Sequence, residues 1–188
     1  DAVVDIVKRL DAGTGSVNMA RYYFLVGPAK PHNSASFAHC HIVEVKQQRV
    51  AAPLHSFPDF NPVNRLNAAH LTARCQRRMQ RKPDLVLDEV KFENAHYLVR
   101  SRHHAKVGID PQDIAMGNKA INGGFEYFAE LCGYSLALAH CRGDRRSTRF
   151  ASSASTSFSQ VKSLLVKIAN LYTEQVVDDH ALFTRALK

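Results

Sequence analysis

RLDAGTGSVNMARYYFLVG, residues 9–27, places two glycines ahead of an aromatic and β-branched run. Residues 20–27 have the composition of a strand. Residues 3–10, before the glycines, carry apolar side chains at helical spacing, which predicts either a short helix or the lead-in to a strand. Gly13 and Gly15 are therefore either the turn of a hairpin or the lip of a phosphate site, and a lone G-x-G does not decide between them.

The segments that follow predict a small sheet interrupted by one helix. Residues 37–46, FAHCHIVEVK, predict a second strand that ends at Lys46. Residues 63–81 contain no proline or glycine and predict a helix with one strongly basic face. Two further strands, joined by a tight hairpin at Glu93 and Asn94, are predicted for residues 85–92 and 95–102.

Helical patterns dominate the remainder of the chain. Residues 125–140 predict a helix, and residues 151–157, ASSASTS, predict a mobile low-complexity connector. Residues 161–187 predict one long helix or two, with apolar side chains such as Leu164, Ile168 and Leu171 facing inward. The order predicts an α+β protein with two lobes, a sheet lobe and a mainly helical lobe.

Composition favours anionic partners. Lys plus Arg is 25 and Asp plus Glu is 17, a net charge of +8. Such a balance suits nucleotides, nucleic acid or acidic lipid, or is simply a solvated basic surface. No apolar run has transmembrane length and no secretory signal is present, so no membrane association is expected. The four cysteines form no C-x-x-C pair, which favours free thiols in a reducing cytoplasm.

Lys46 gives the two glycines a possible role. A glycine turn between two strands, followed by a lysine at the end of the next strand, is how protein-kinase-like folds hold phosphates. Glycines let backbone N–H groups approach phosphate oxygens without Cβ clashes, and the lysine supplies the countercharge. The simpler alternatives are hairpin turn residues at Gly13 and Gly15, and a solubilising edge-strand lysine at position 46.

Six segments resemble, in the same order, an uncharacterised bacterial family, domain of unknown function 2252. They are VVDIVKRLDAGTGSVNMARYYFLV, VEVK, RCQRRMQ, YLVRSRHHAK, FAELCGYSLALAHCRGD and LYTEQVVDDHALF, which together extend from residue 3 to about residue 182. This family resembles, distantly, protein kinases and aminoglycoside phosphotransferases. The resemblance implies a kinase-like small lobe over residues 1–103, with about five antiparallel strands and one helix. Residues 104–188 then form the helical part of a larger, incomplete lobe.

The resemblance also implies a nucleotide site that takes ATP and magnesium. The glycine run carries over to Gly13, Gly15 and Ser16, the lysine to Lys46, and a Val-Arg pair to Val99 and Arg100. The partner implied is a nucleotide, and the activity implied is that of a kinase-like phosphotransferase. No metal ligand is assigned within this chain, because the histidines and cysteines lack a partner pair at ligand spacing.

Three departures from the family pattern limit the expected chemistry. Asn18 and Met19 stand where a third glycine is usual, and Arg74 stands where the family often has the glutamate that orients the lysine. The family also carries, further towards its N-terminus, a Gly-Asp-x-His-x-x-Asn run and an Asn-Asp-Phe-Asp run that resemble a catalytic loop and a metal-binding segment. We therefore expect this chain to be the C-terminal portion, to bind nucleotide weakly and to lack the catalytic aspartate.

Two other features offer different functions. The HCRGD run around Asp144 imitates a catalytic H-G-D loop, but no asparagine follows at the required distance, so Asp144 is predicted to be a helix-end or salt-bridging residue. The basic helix suggests a non-catalytic, kinase-shaped or nucleic-acid-binding module, which is less favoured because no aromatic stacking platform accompanies it. Its basic residues are Arg74, Arg77, Arg78, Arg81 and Lys82.

Overall fold

A computed structural model describes residues 1–10, 16–60, 66–102 and 109–187. The chain separates into two compact units, Asp1–Gly143 and Asp144–Lys188. The first unit contains all the strands and most of the helices, and the second contains one long helix. The α+β class predicted from the sequence is confirmed.

The first unit is built on a five-stranded antiparallel sheet with the order β1-β2-β3-β5-β4. The strands are β1 (Ala2–Lys8), β2 (Arg21–Gly27), β3 (His41–Gln47), β4 (Asp88–Phe92) and β5 (Ala95–Ser101). Residues 3–8 are thus a strand rather than a helix: β1 is hydrogen-bonded along β2, with an irregularity between Val3 and Asp5. Cross-strand pairing outweighs the helical spacing of its apolar residues.

The described residues also form seven α-helices, six in the first unit and one in the second, and a 3-10 turn at Pro58–Phe60. They are α1 (Ser34–Phe37), α2 (Pro53–Ser56), α3 (Ala68–Met79), α4 (Pro111–Ala115), α5 (Gly117–Ile121), α6 (Gly124–Gly143) and α7 (Arg149–Ala186). Strand β3 begins later than predicted because Asn33 caps α1 through a hydrogen bond from the Ser36 amide. Among these helices, none combines the length and hydropathy that a bilayer-spanning segment requires.

The tight hairpin predicted at Glu93 and Asn94 is confirmed. Both residues have positive φ, 45° and 60°, as a two-residue turn of the primed class requires. The turn sets β4 against β5 so that Val90 lies opposite Tyr97. Asparagine tolerates this backbone region better than most residues, which explains why no glycine is needed.

The two faces of the sheet differ in chemistry. On one face Val43, Val45 and Tyr97 form a buried cluster, and aromatic rings pack edge to face around them. On the other face α3 lies over Leu98, with Ala73 in contact with Leu87 and Leu98. Because the two buried residues of α3 are alanines, the helix backbone approaches the sheet closely.

Helix α3 is shorter than the predicted helix of residues 63–81. Its N-cap is Asn67, whose side chain accepts a hydrogen bond from the His70 amide, and it ends at Met79 because Gln80 is extended. Residues 63–65, with which the predicted helix begins, lie outside the described residues. Helix α6 packs against α3 in the same unit.

Two predictions for the second unit are wrong. The run of residues 151–157, predicted as a mobile connector, is part of α7, because its alanines and serines contain no helix breaker and helix propagation continues through them. Side chains predicted to face inward on this helix, including Leu164, Ile168 and Leu171, are about half exposed. Within this unit α7 is the one helix described, so no second element of the unit covers them.

We predict that Leu87→Ala lowers the free energy of unfolding by about 3 kcal/mol, because it removes a fully buried side chain from the contact between α3 and the sheet. The control is Leu85→Ala, two residues earlier and fully exposed, which is expected to change stability by less than about 0.5 kcal/mol. Urea denaturation followed by circular dichroism measures both. Equal losses in the two variants would contradict the packing described here.

Candidate functional site

Strand register gathers charged side chains on the face of the sheet that α3 covers in part. Tyr23 lies opposite Glu44, and Arg21 lies opposite Lys46. On the other side of β3, Glu44 lies opposite Arg100. Because side chains two residues apart share a face, these five side chains point to the same side of three adjacent strands.

Glu44 is at the centre of this group. It is 4% exposed, and its carboxylate pairs with two guanidinium groups. Arg21 Nη1 lies 3.2 Å from Oε1, and Arg100 donates from Nε and Nη2 to Oε2 at 2.5 Å. Two cations thus compensate one buried anion, and the group has an excess of positive charge.

Arg21 also connects the sheet to the segment before β2. Its Nη2 donates to the hydroxyl of Ser16 at 2.7 Å, and Ser16 is buried. The Ser16 carbonyl accepts a hydrogen bond from the Met19 amide, and Asn18 between them has a φ of 58°. Asn18 therefore adopts the left-handed conformation that a glycine would favour, so replacing glycine there does not prevent the turn.

Ser16, Lys46 and Arg100 are the predicted nucleotide-site residues that the structure describes, and their assignment stays a prediction. Arg21 links Ser16 to Glu44, because it donates to the Ser16 hydroxyl and pairs with the Glu44 carboxylate. Glu44 also pairs with Arg100. The other two predicted residues, Gly13 and Gly15, lie outside the described residues.

Lys46 has a pKa below its ordinary value. Desolvation lowers the pKa most, the charges of Arg21 and Arg100 lower it further, and Glu44 partly opposes them. The sequence predicted that the lysine would lack an orienting carboxylate, because α3 carries no acidic residue. The described α3 indeed supplies none, but Glu44 on the lysine's own strand acts on it electrostatically.

A cleft of about 1180 Å³ opens beside this face, within the first unit. Seven cationic residues and two acidic residues are among those that line it. The cations are Arg9, Arg21, Arg81, Lys82, Arg100, Arg102 and Arg142, and the acids are Glu44 and Asp84. A cleft with this excess of positive charge attracts anions.

Asp84 is occupied by structural hydrogen bonds. Its carboxylate accepts from the amide of Ser101 at 2.5 Å, from the hydroxyl of Ser101 at 2.9 Å and from the amide of Val86 at 2.9 Å. These contacts tie the segment after α3 to the end of β5. The wall of the cleft is thereby fixed next to Arg100 and Arg102.

Sequence reasoning missed Arg21 and Glu44, on which the arrangement depends. A signal was present: Glu44 and Lys46 alternate with buried valines on a strand predicted to be in the sheet, where a charged inward position calls for a partner. The partners come from β2 and β5, and the register between strands is not encoded in any single segment.

One of the basic residues of helix α3 makes contacts within the fold. Arg77 donates to the carbonyl of Leu87 and lies 3.6 Å from the Asp88 carboxylate. Arg81 and Lys82, predicted as part of the helix, follow its end and line the cleft instead.

Asp144 is confirmed as a helix-end residue. Its carboxylate accepts hydrogen bonds from the Phe150 amide and the Ser147 hydroxyl at the start of α7. These bonds hold the pKa of Asp144 below its ordinary value. Over the described ranges, no group of three or more His, Cys, Asp and Glu side chains is placed to hold a metal ion.

We predict that Arg100→Gln raises the pKa of Lys46 towards the ordinary lysine value. The substitution removes a cation that disfavours the ammonium and leaves Glu44 less compensated, and both effects favour protonation of the lysine. A pH titration of lysine side-chain signals by NMR, assigned with Lys46→Met, measures the change. The control is Lys91→Gln, on the edge strand β4, which should leave the pKa of Lys46 unchanged. A lower pKa of Lys46 in Arg100→Gln than in the native chain would contradict the described position of Arg100.

Comparison with known proteins adds one match. No curated protein and no solved structure matches the chain. Residues 2–186 match the family described as "Uncharacterized protein conserved in bacteria (DUF2252)". Because the match covers nearly the whole chain, the protein belongs to this bacterial family.

Proposed function

We propose that this chain binds the phosphates of a nucleotide, as the nucleotide-binding part of a kinase-like phosphotransferase. The observation that carries the proposal is the position of Lys46, which shares one face of the sheet with Arg21 and Arg100. Desolvation, and then the charges of these two arginines, lower the pKa of Lys46. An ammonium held among other cations gains most from an added anion, because a phosphate would offset the charges that disfavour its protonated form.

The order of elements supports the same proposal. The chain runs from β1 through the segment with the glycines to β2, then to β3 with its lysine, then α3, then β4 and β5. Protein kinases also place a glycine-rich loop before the phosphate-binding lysine of a third strand, and a helix after it. They take the lysine's carboxylate partner from that helix, whereas here Glu44 on β3 is the nearby carboxylate.

The residues suit ATP phosphates better than they suit magnesium. Arg21, Lys46 and Arg100 are donors without acceptor capacity, as phosphate oxygens require. Both carboxylates of the cleft are already engaged, Glu44 by two guanidinium groups and Asp84 by three donors. Magnesium would supply charge neutralisation across the phosphates when bound. The described carboxylates do not form a site for it, so we derive no step through the metal.

The proposed role is binding and positioning. A general base must accept the proton of the substrate hydroxyl, whereas Glu44 is paired with two guanidinium groups and Asp84 accepts hydrogen bonds from three donors. We therefore assign no catalytic residue in this chain. Holding the phosphates in place is by itself a large part of phosphoryl-transfer catalysis.

Nucleic-acid binding is a second candidate, supported by the length of the cationic lining. The cleft extends from Arg100 and Arg102 on the sheet to Arg81 and Lys82 after α3 and to Arg142 on α6. A single strand of nucleic acid would present a series of phosphates to these residues, and its affinity would fall steeply with salt.

We predict that Mg-ATP binds to the chain and that Lys46→Met weakens its affinity about tenfold or more, because a charge-assisted contact to phosphate is lost. Isothermal titration calorimetry measures the affinity, and thermal unfolding verifies that the variant is folded. The control is Lys91→Gln, which removes one positive charge from an exposed position on β4 and should leave the affinity unchanged. Equal effects of the two substitutions would refute a site at Lys46.

A titration with a single-stranded oligonucleotide separates the two candidates. The nucleotide proposal expects Mg-ATP to raise the thermal midpoint and the oligonucleotide to compete only weakly. A steep negative dependence of oligonucleotide affinity on salt, with no shift by Mg-ATP, would overturn it in favour of nucleic-acid binding.

A further inference from the structure

At the edge of the cleft, one tyrosine hydroxyl accepts hydrogen bonds from two arginines. Arg9 Nη1 and Arg102 Nη1 both donate to the hydroxyl of Tyr23, the latter at 2.8 Å. Their guanidinium carbons lie 5.8 Å and 4.7 Å from the centre of the Tyr23 ring. The two arginines come from the ends of β1 and β5, and Tyr23 lies on β2, so three strands build this group.

The group has an imbalance of charge. Within the described ranges no carboxylate forms an ion pair with Arg9 or Arg102, and their shared acceptor is neutral. Two like charges are thus held against one hydroxyl. A hydroxyl dipole offsets little of their mutual repulsion, whereas an anion bound beside both of them would offset more of it.

The unused hydrogen-bond donors of Tyr23, Arg9 and Arg102 also favour an anionic ligand. A phenol has two acceptor positions and one donor. Here both arginines donate to the Tyr23 oxygen, so the Tyr23 proton remains available for donation to a ligand. Each guanidinium has five N–H groups, of which the hydroxyl takes one, so several donors remain at the same place. The complementary ligand is an acceptor-only, doubly charged group.

We propose that Arg9, Tyr23 and Arg102 form a subsite for a phosphomonoester dianion, separate from the phosphate site proposed at Lys46. Three donors from different directions match the three terminal oxygens of a phosphate better than the two oxygens of a carboxylate. Arg9 and Arg102 line the same cleft as Arg21 and Arg100. The ligand is a small molecule that carries a phosphate group and binds in this cleft.

The test uses inorganic phosphate and phenyl phosphate as probes, titrated into the whole chain by calorimetry at fixed ionic strength. Tyr23→Phe keeps the ring and every charge and removes only the hydroxyl, so the subsite predicts about tenfold weaker binding. Arg102→Lys keeps the charge and loses the planar fork, and the same direction is expected. Lys91→Gln is the control and should leave both affinities unchanged.

The outcomes distinguish this subsite from a general basic surface. Phosphate affinity that is the same in Tyr23→Phe as in the native chain would overturn the proposal, because only long-range charge would then be at work. Benzoate binding as tightly as phenyl phosphate would also overturn it. Thermal unfolding confirms the fold of each variant, and Arg102→Lys provides a second test if Tyr23→Phe is unstable.

This inference stands apart from the proposed nucleotide site. Lys46→Met should retain the binding of inorganic phosphate while weakening that of Mg-ATP. Loss of phosphate binding in Lys46→Met but not in Tyr23→Phe would refute the subsite and leave the nucleotide site. Retained phosphate binding that depends on Tyr23, with no binding of Mg-ATP, would support the subsite and refute the proposed nucleotide function.

Discussion

The buried carboxylate of Glu44 is the constraint on which the rest of the structure depends. It lies on the central strand β3 and pairs with Arg21 on one side and Arg100 on the other. A buried charge without such partners would be strongly unfavourable, so the pairing fixes the registers of β2 and β5 against β3. Through Arg21 it also fixes Ser16, and hence the end of the segment that carries the glycines.

A buried ion group of this kind is weak evidence for stability, since well-packed apolar residues often serve a fold as well or better. The ion group matters here because it fixes the positions of two arginines. One face of the sheet is packed with apolar and aromatic side chains. On the other face, α3 covers Leu98, and the charged group lies beside the open cleft. The fold thereby holds several cations at fixed positions before any ligand arrives, which reduces the cost of ordering them on binding.

The sequence was informative where the signal is local. The turn at Glu93 and Asn94, the strands β2 to β5 and the presence of helix α3 follow from patterns within short segments, and all are confirmed. The strand at residues 2–8 needed its partner β2 to be distinguished from a helix. The serine-rich run in α7 was mistaken for a connector because low complexity is also typical of linkers.

The site was less accessible to sequence reasoning, for a physical reason. Lys46 and Arg100 were identified one by one, but the pairing of Arg21 with Glu44 joins different strands and appears only once the register is known. The same is true of Tyr23 with Arg9 and Arg102. The nucleotide role of Gly13 and Gly15 stays a prediction.

Membership of an uncharacterised bacterial family leaves the ligand to be established by direct observation. The most direct measurement is a crystal structure of the chain soaked with a non-hydrolysable ATP analogue. We expect phosphate oxygens within hydrogen-bonding distance of Lys46 and of a guanidinium of Arg21 or Arg100. Phosphates bound elsewhere on the protein, with no density beside Lys46, Arg21 and Arg100 at saturating analogue, would contradict the proposal.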